Sequence, residues 1–260
     1  MITPADMAKQ LIAAERDRVA IAPFTDANPD LDVATAYLAQ RAFVAAKVDA
    51  GEQVIGAKLG LTSKAKQSAM GVDVPVRGVV TSGMLAPFGV PIDLSEFIHP
   101  RVEPEIAFIL ARDVVAPATV SSVLAATESV CGAVDVLDSR YEDFRFTLPD
   151  VIADNASAAR FLIGPRAVAP SDLEDLRLLG CVLRADGDVA ATAAGAAVMG
   201  HPAAPVAWLA NELAKRGDVL EAGWIVFSGG LTAALPLTAG CSVTAEFDGL
   251  GTIEVFTDAG

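Results

Sequence analysis

From residue 54 onward the chain is cut by glycine and proline into short apolar runs of β character. VIGAKLGL, RGVVTSGML, VEPEIAFIL, AVDVLD, CVLRADGDVAAT and GCSVTAEFDGLGTIEVF all have strand texture, and DGD at 186–188 and DGLG at 248–251 have the composition of hairpin turns. A chain punctuated this way can bury its apolar residues only by pairing many short strands. Two helices interrupt the series, at about 119–131 and at 203–216, the second closed by Gly217. Residues 1–53 differ: Thr3 is a natural N-cap for a first helix, and Val33, Tyr37, Leu38, Arg41 and Val44 form the stripe of a second, with a turn-rich loop between. The order predicts an α+β protein with a small helical portion at 1–53 and a mixed, largely antiparallel β core at 54–260.

Fifty-three per cent of the 260 residues are hydrophobic, enough for a sizeable core. The net charge of −14 repels phosphate backbones and anionic lipid, so neither nucleic acid nor a membrane surface is an expected partner. No uninterrupted apolar run reaches the length of a membrane span, and the charged amphipathic start lacks the pattern of a secretory signal. Cys131, Cys181 and Cys241 lack the spacing of a disulfide framework or zinc knuckle, and free thiols in the cytoplasm are expected.

An acidic protein of this kind needs a local cation if it is to bind an acidic ligand. Arg101-Val-Glu103-Pro-Glu105-Ile-Ala-Phe-Ile-Leu110 puts two carboxylates on one face of a strand. Buried without a cation they would repel and lose hydration at a cost of several kcal/mol; at a sheet edge they would simply be solvated. Asp135 interrupts a second apolar strand without a local reason. Asp138, three residues on, sits at the strand end and is the alternative third carboxylate. With no His or Cys nearby the donor set is all oxygen, which suits Mg²⁺ or Mn²⁺ and argues against Zn²⁺. Lys58 lies in a glycine-flanked apolar strand, a place for an acid, a base or a charge partner, or for a lysine that reaches out to solvent. The polar groups of Asp154–Ser157 and of Ser228–Thr232 either bind a carboxylate or satisfy turns.

The segments GAKLGLTSKAKQ, IHPRVEPEIAFIL, VDVLDSRY, LPDVIADNAS, HPAAPVAWLANELAKRG and SGGLTAALP, in that order over nearly the whole chain, resemble the hydratase and decarboxylase branch of the fumarylacetoacetate hydrolase superfamily. The resemblance implies a mixed β-sandwich roll, Mg²⁺ or Mn²⁺ on Glu103, Glu105 and Asp135, Lys58 as the catalytic lysine, and Ser157 and Thr232 near the substrate. It implies a small 2-oxo dicarboxylic acid as substrate, with decarboxylation of 2-oxohex-3-enedioate as the reaction and hydration of 2-hydroxypenta-2,4-dienoate as the sister activity. A homo-oligomer, and a complex with a hydratase in which this chain is a catalytic or a non-catalytic partner, follow from the same likeness. Two departures stand out. Many relatives carry glutamate where this chain has Asp135, and at Pro75-Val76-Arg77-Gly78 the acidic residue and aromatic common in hydratases are missing. Losing that acid favours the decarboxylase and leaves Arg77 as a candidate contact for a second substrate carboxylate.

Overall fold

The computed structural model describes residues 2–259. The elements run α1 (Pro4–Asp17), α2 (Phe24–Ala27), α3 (Val33–Asp49), β1 (Val54–Gly60), α4 (Lys64–Met70), β2 (Val76–Thr81) and β3 (Arg101–Leu110). They continue α5 (Val120–Ala126), β4 (Thr127–Leu137), α6 (Leu148–Ala153), β5 (Ala158–Val168), β6 (Gly180–Ala185) and β7 (Asp188–Ala194). Last come α7 (Ala203–Ala214), β8 (Ile225–Phe227), β9 (Leu235–Pro236), β10 (Ser242–Phe247) and β11 (Gly251–Phe256).

The strands make two sheets. The larger has the order β2-β1-β8-β3-β4-β5, with β9 also pairing β3, and is antiparallel except for the β1–β8 pair. The smaller, β11-β10-β6-β7, is antiparallel throughout. They pack face to face where the large sheet is thinned by glycine: a Cβ on Gly132 would lie 2.6 Å from the Phe247 ring, and one on Gly164 would lie 3.2 Å from Ile253. The core between them contains Val102, Ile106 and Phe108 of β3 with Val243, Ala245 and Ile253 of the small sheet, and α7 closes it with Val206 and Leu209.

Alternation along β3 then decides where the chemistry can sit. Even-numbered Val102, Ile106, Phe108 and Leu110 belong to the sandwich core, so Arg101, Glu103 and Glu105 take the other face. Over that side lie α1, α3 and α6, whose apolar stripes share a cluster with Val76 and Tyr141 that includes Met7, Leu11, Phe43 and Ile152. α1 starts as the sequence predicts, with the Thr3 side chain accepting from Asp6 N, and α3 is capped by Asp32, which accepts from Thr35 N.

The helix expected over 119–131 stops at Ala126. The Thr127 hydroxyl donates to the Val123 carbonyl and ends the last turn, and the chain runs straight into β4. Among the described residues no helix is long and apolar enough to cross a membrane.

Candidate active site

The acidic strand is central in its sheet rather than at an edge, so its glutamates are buried: Glu103 is 8% exposed and Glu105 1%. Asp135 on β4 is the direct cross-strand partner of Glu103 and is fully buried. Directly opposed residues share a face of a sheet, so Glu103, Glu105 and Asp135 line one side of the β3–β4 pair. Each carboxylate has its own environment. Glu105 Oε2 accepts from the Gly229 N–H at 2.8 Å. Burial first, and then the Asp135 charge, push Glu105 well above the usual carboxylate range. Burial also pushes Asp135 up, to about 6, even though the Lys58 ammonium opposes it.

Lys58 stands where its chain expects a contact and no solvent. Its Nζ lies 2.5 Å from Asp135 Oδ2 and donates to the Ala156 carbonyl at 2.9 Å, and the residue is 2% exposed. The neighbour across the β1–β2 pair is Gly78, where a Cβ would meet the lysine Cγ at 2.9 Å and the Asn155 carbonyl at 2.7 Å. Glycine there makes room for the buried lysine. Glu103 is gripped by a second lysine: Lys66 Nζ on α4 donates to both of its oxygens at 2.8 and 2.9 Å. Gly230 permits this pair, since a Cβ there would fall 1.9 Å from Glu103 Oε2 and 2.8 Å from Lys66 Nζ.

A cavity of about 350 Å³ opens above these groups. Lys58, Lys66, Glu103 and Ser157 supply polar lining, and Leu137, Phe144, Phe146 and Val151 an apolar wall. Asn155, Ala156 and Ser157 carry φ of 52°, 55° and 55°, three successive non-glycine residues in the left-handed region. Such strain persists only where the surroundings fix it. Here Asn155 bonds both the N–H and the carbonyl of Val79, and the Ser157 hydroxyl donates to Asp154 Oδ2. Fully buried Arg140 reaches Asp154 Oδ1 with Nε at 2.5 Å and donates to the Asp138, Ala158 and Asp154 carbonyls. The turn that offers Ala156 O and Ser157 to the cavity is thereby clamped.

Other sequence expectations distribute differently. Thr232 is 9% exposed with its hydroxyl turned onto the Ala233 carbonyl, while its neighbours Gly230, Ala233 and Ala234 line the cavity. Asp138 faces away, its two oxygens accepting from the Ile98 and His99 N–H groups. Arg77 does not reach the cavity. It precedes Lys58's partner Gly78 by one residue, so alternation turns it out of the cavity, and its guanidinium lies 4.4 Å from the Tyr37 ring centroid. The cations that do line the cavity beside Lys58 are Lys66 and Arg101, which no local sequence anomaly marks.

The donor set fits a hard divalent cation. The two Asp135 oxygens are buried with no hydrogen-bond partner, Oδ2 meeting only its ion-pair lysine, and Glu105 keeps one oxygen unbonded. Carboxylate oxygens alone suit Mg²⁺, Mn²⁺ or Ca²⁺. Among the described residues no three His, Cys, Asp or Glu side chains are drawn into a single cluster, and Glu103 is paired with Lys66.

The fumarylacetoacetate hydrolase C-terminal family model matches residues 53–255, and the chain belongs to the fumarylacetoacetate hydrolase family. Within it, the chain is 43% identical over 245 residues to a 4-oxalocrotonate decarboxylase of a Pseudomonas species, covering 94% of this chain and 92% of that one. It is 38% identical over 256 residues to a 2-keto-4-pentenoate hydratase of Burkholderia vietnamiensis, covering 98% and 97%. The solved structure of 4-oxalocrotonate decarboxylase from Pseudomonas putida, complexed with magnesium and adipate, superposes with a TM-score of 0.95 at 38% identity over 99% of both chains.

Proposed function

We propose that this chain is a divalent-metal-dependent carboxy-lyase that converts 2-oxohex-3-enedioate (4-oxalocrotonate) to 2-hydroxypenta-2,4-dienoate and CO₂. The observation that carries the reading is buried Asp135, whose oxygens have no hydrogen-bond partners and which is ion-paired to Lys58 and lies opposite Glu103, both of which line the cavity. The decarboxylase relatives and the magnesium and adipate complex support it.

Glu103, Glu105 and Asp135 would hold Mg²⁺ or Mn²⁺, which when bound supplies Lewis acidity for the 2-oxo group. In the reaction the bond between C5 and the C6 carboxyl carbon breaks. The carboxyl group leaves as CO₂, and the bonding pair moves along the conjugated chain to the C2 oxygen. That oxygen takes up one proton to give the 2-hydroxy dienoate. Lys58 Nζ holds a proton at the cavity floor and places positive charge where the oxygen becomes negative. The Ala156 carbonyl and Asp135 fix its position. Phe144, Phe146 and Leu137 keep water from the departing end.

Decarboxylation is favoured over hydration by the cavity's acid content. The single carboxylate in the lining is Glu103, already paired with Lys66, and buried Glu105 and Asp135 beside it are assigned to the metal, so no carboxylate is left over to activate water. Product analysis with the purified chain tests this. One CO₂ released per 2-oxohex-3-enedioate consumed supports the proposal; hydration of 2-hydroxypenta-2,4-dienoate without CO₂ release from the diacid makes the chain a hydratase, and no turnover of either makes it a non-catalytic partner.

A further inference from the structure

A six-carbon substrate with a carboxylate at each end needs a cation at each end, and most severely in a protein of net charge −14. Three cationic side chains line the cavity: Lys58, Lys66 and Arg101. Lys58 is committed to Asp135 and the Ala156 carbonyl, and Lys66 to both oxygens of Glu103. Arg101 has no hydrogen-bonded or ion-paired side-chain partner among the described residues. Its guanidinium rests on the Phe144 ring, 4.1 Å from the centroid, and that ring in turn packs on His99 at 4.7 Å.

We propose, resting on the decarboxylase reading, that Arg101 is the residue that selects a dicarboxylic acid by pairing with the substrate carboxylate farthest from the acidic floor. Arg101, Glu103 and Glu105 form a row on one face of β3, and at about 3.3 Å per residue Arg101 stands roughly 6.6 Å from Glu103 and roughly 13 Å from Glu105 along the strand. A chain lying along that row with one end at the carboxylates of β3 and β4 delivers its other end to the guanidinium. The backbone beneath is fixed on both sides, by pairing with Leu137 of β4 and with Pro236 of β9. Stacking on Phe144 orients the planar group while leaving its N–H edge free for the bidentate geometry that a carboxylate offers. Leu137, its cross-strand partner, adds apolar surface beside it, which strengthens such a pair. Arg77, the cation that the sequence offered for this task, is spent on Tyr37 outside the cavity.

The role has a kinetic signature. The distal carboxylate leaves as neutral CO₂, so its attraction to Arg101 is made in the ground state and fades toward the transition state. Arg101 therefore acts on substrate capture more than on bond cleavage.

The experiment compares wild-type protein, Arg101→Gln and Arg101→Lys, all loaded with Mg²⁺ and matched for thermal stability. Calorimetry reads the affinity for adipate, a six-carbon diacid, and for hexanoate, the same chain with one carboxylate; steady-state kinetics reads KM and kcat on 2-oxohex-3-enedioate. In Arg101→Gln the adipate affinity and 1/KM should fall roughly 10- to 100-fold, the loss of a charge-assisted bidentate pair, with hexanoate affinity unchanged and kcat not below that of the wild type, since an attraction that fades toward the transition state costs kcat/KM little. Arg101→Lys should recover part of the loss. Unchanged adipate affinity in Arg101→Gln, or equal losses for adipate and hexanoate, overturns the assignment. Absence of CO₂ release by the wild type would sink the decarboxylase reading instead, and the two binding isotherms would still decide the role of Arg101.

Discussion

Lys58 Nζ and Asp135 Oδ2 meet at 2.5 Å with neither residue more than 2% exposed, on strands that are not neighbours in the sheet. A buried pair of this kind costs desolvation of both ions, and its retention makes sense where the site needs a charged lysine at a fixed point. Replacing Lys58 with Met separates the lysine's two roles. Turnover should fall on the order of 10²- to 10⁴-fold. Asp135 is left as an uncompensated buried acid, so the variant should melt below wild type without metal and recover more stability than wild type when Mg²⁺ is added. Thermal melts at several Mg²⁺ concentrations check this, and an equal metal response in both proteins would argue against Asp135 as a ligand.

Gly230 gives a sharper geometric test. A methyl there has no room between Glu103 Oε2 and Lys66 Nζ, so Gly230→Ala should displace the Glu103 carboxylate. Displacement by about an ångström in a catalytic site costs on the order of 10²-fold. The expected result is a kcat/KM loss of that order with the far-ultraviolet circular dichroism unchanged.

Arg140 is predicted to matter for stability. Its guanidinium neutralises buried Asp154 and satisfies three carbonyls, so Arg140→Ala should lower unfolding free energy by about 3–5 kcal/mol, read from urea denaturation. Because the same contacts clamp Ser157 and Ala156, activity at a temperature well below the melt should fall as well.

The thiols offer a pH-dependent check of the core. Burial pushes Cys131 up to about 11 and Cys181 up to about 12, which keeps both protonated and unreactive at pH 8, whereas Cys241 is partly exposed. The reactive species is the thiolate. Iodoacetamide at pH 8 should therefore modify Cys241 alone in the folded protein and all three in urea, as mass spectrometry of peptides would show.

Much of this site was legible because charge inside an apolar strand is anomalous and needs a cause. Glu103, Glu105, Asp135 and Lys58 each broke a hydrophobic run, and period-two alternation put the glutamates on one face. Arg101 and Lys66 escaped notice because a basic residue at a strand end or on a short helix is ordinary; only the cavity distinguishes them. Arg77 is offered by composition alone, which does not say that its neighbour Gly78 and not Arg77 is the residue opposite Lys58. In the fold, β5 was hidden by Gly164-Pro165, which has the texture of a turn and here lies within a strand that pairs β4 across two register shifts. The end of α5 was obscured because Thr127–Cys131 follows an alanine-rich helix without glycine or proline to mark the change to β4.

The most direct measurement is CO₂ release from 2-oxohex-3-enedioate by metal-stripped wild-type protein and by Glu105→Gln, titrated with Mg²⁺ and with Mn²⁺. Release by the wild type that appears only on adding metal, saturates with it and is lost in Glu105→Gln is the predicted result. Equal release without metal, or full activity in Glu105→Gln, would contradict the account.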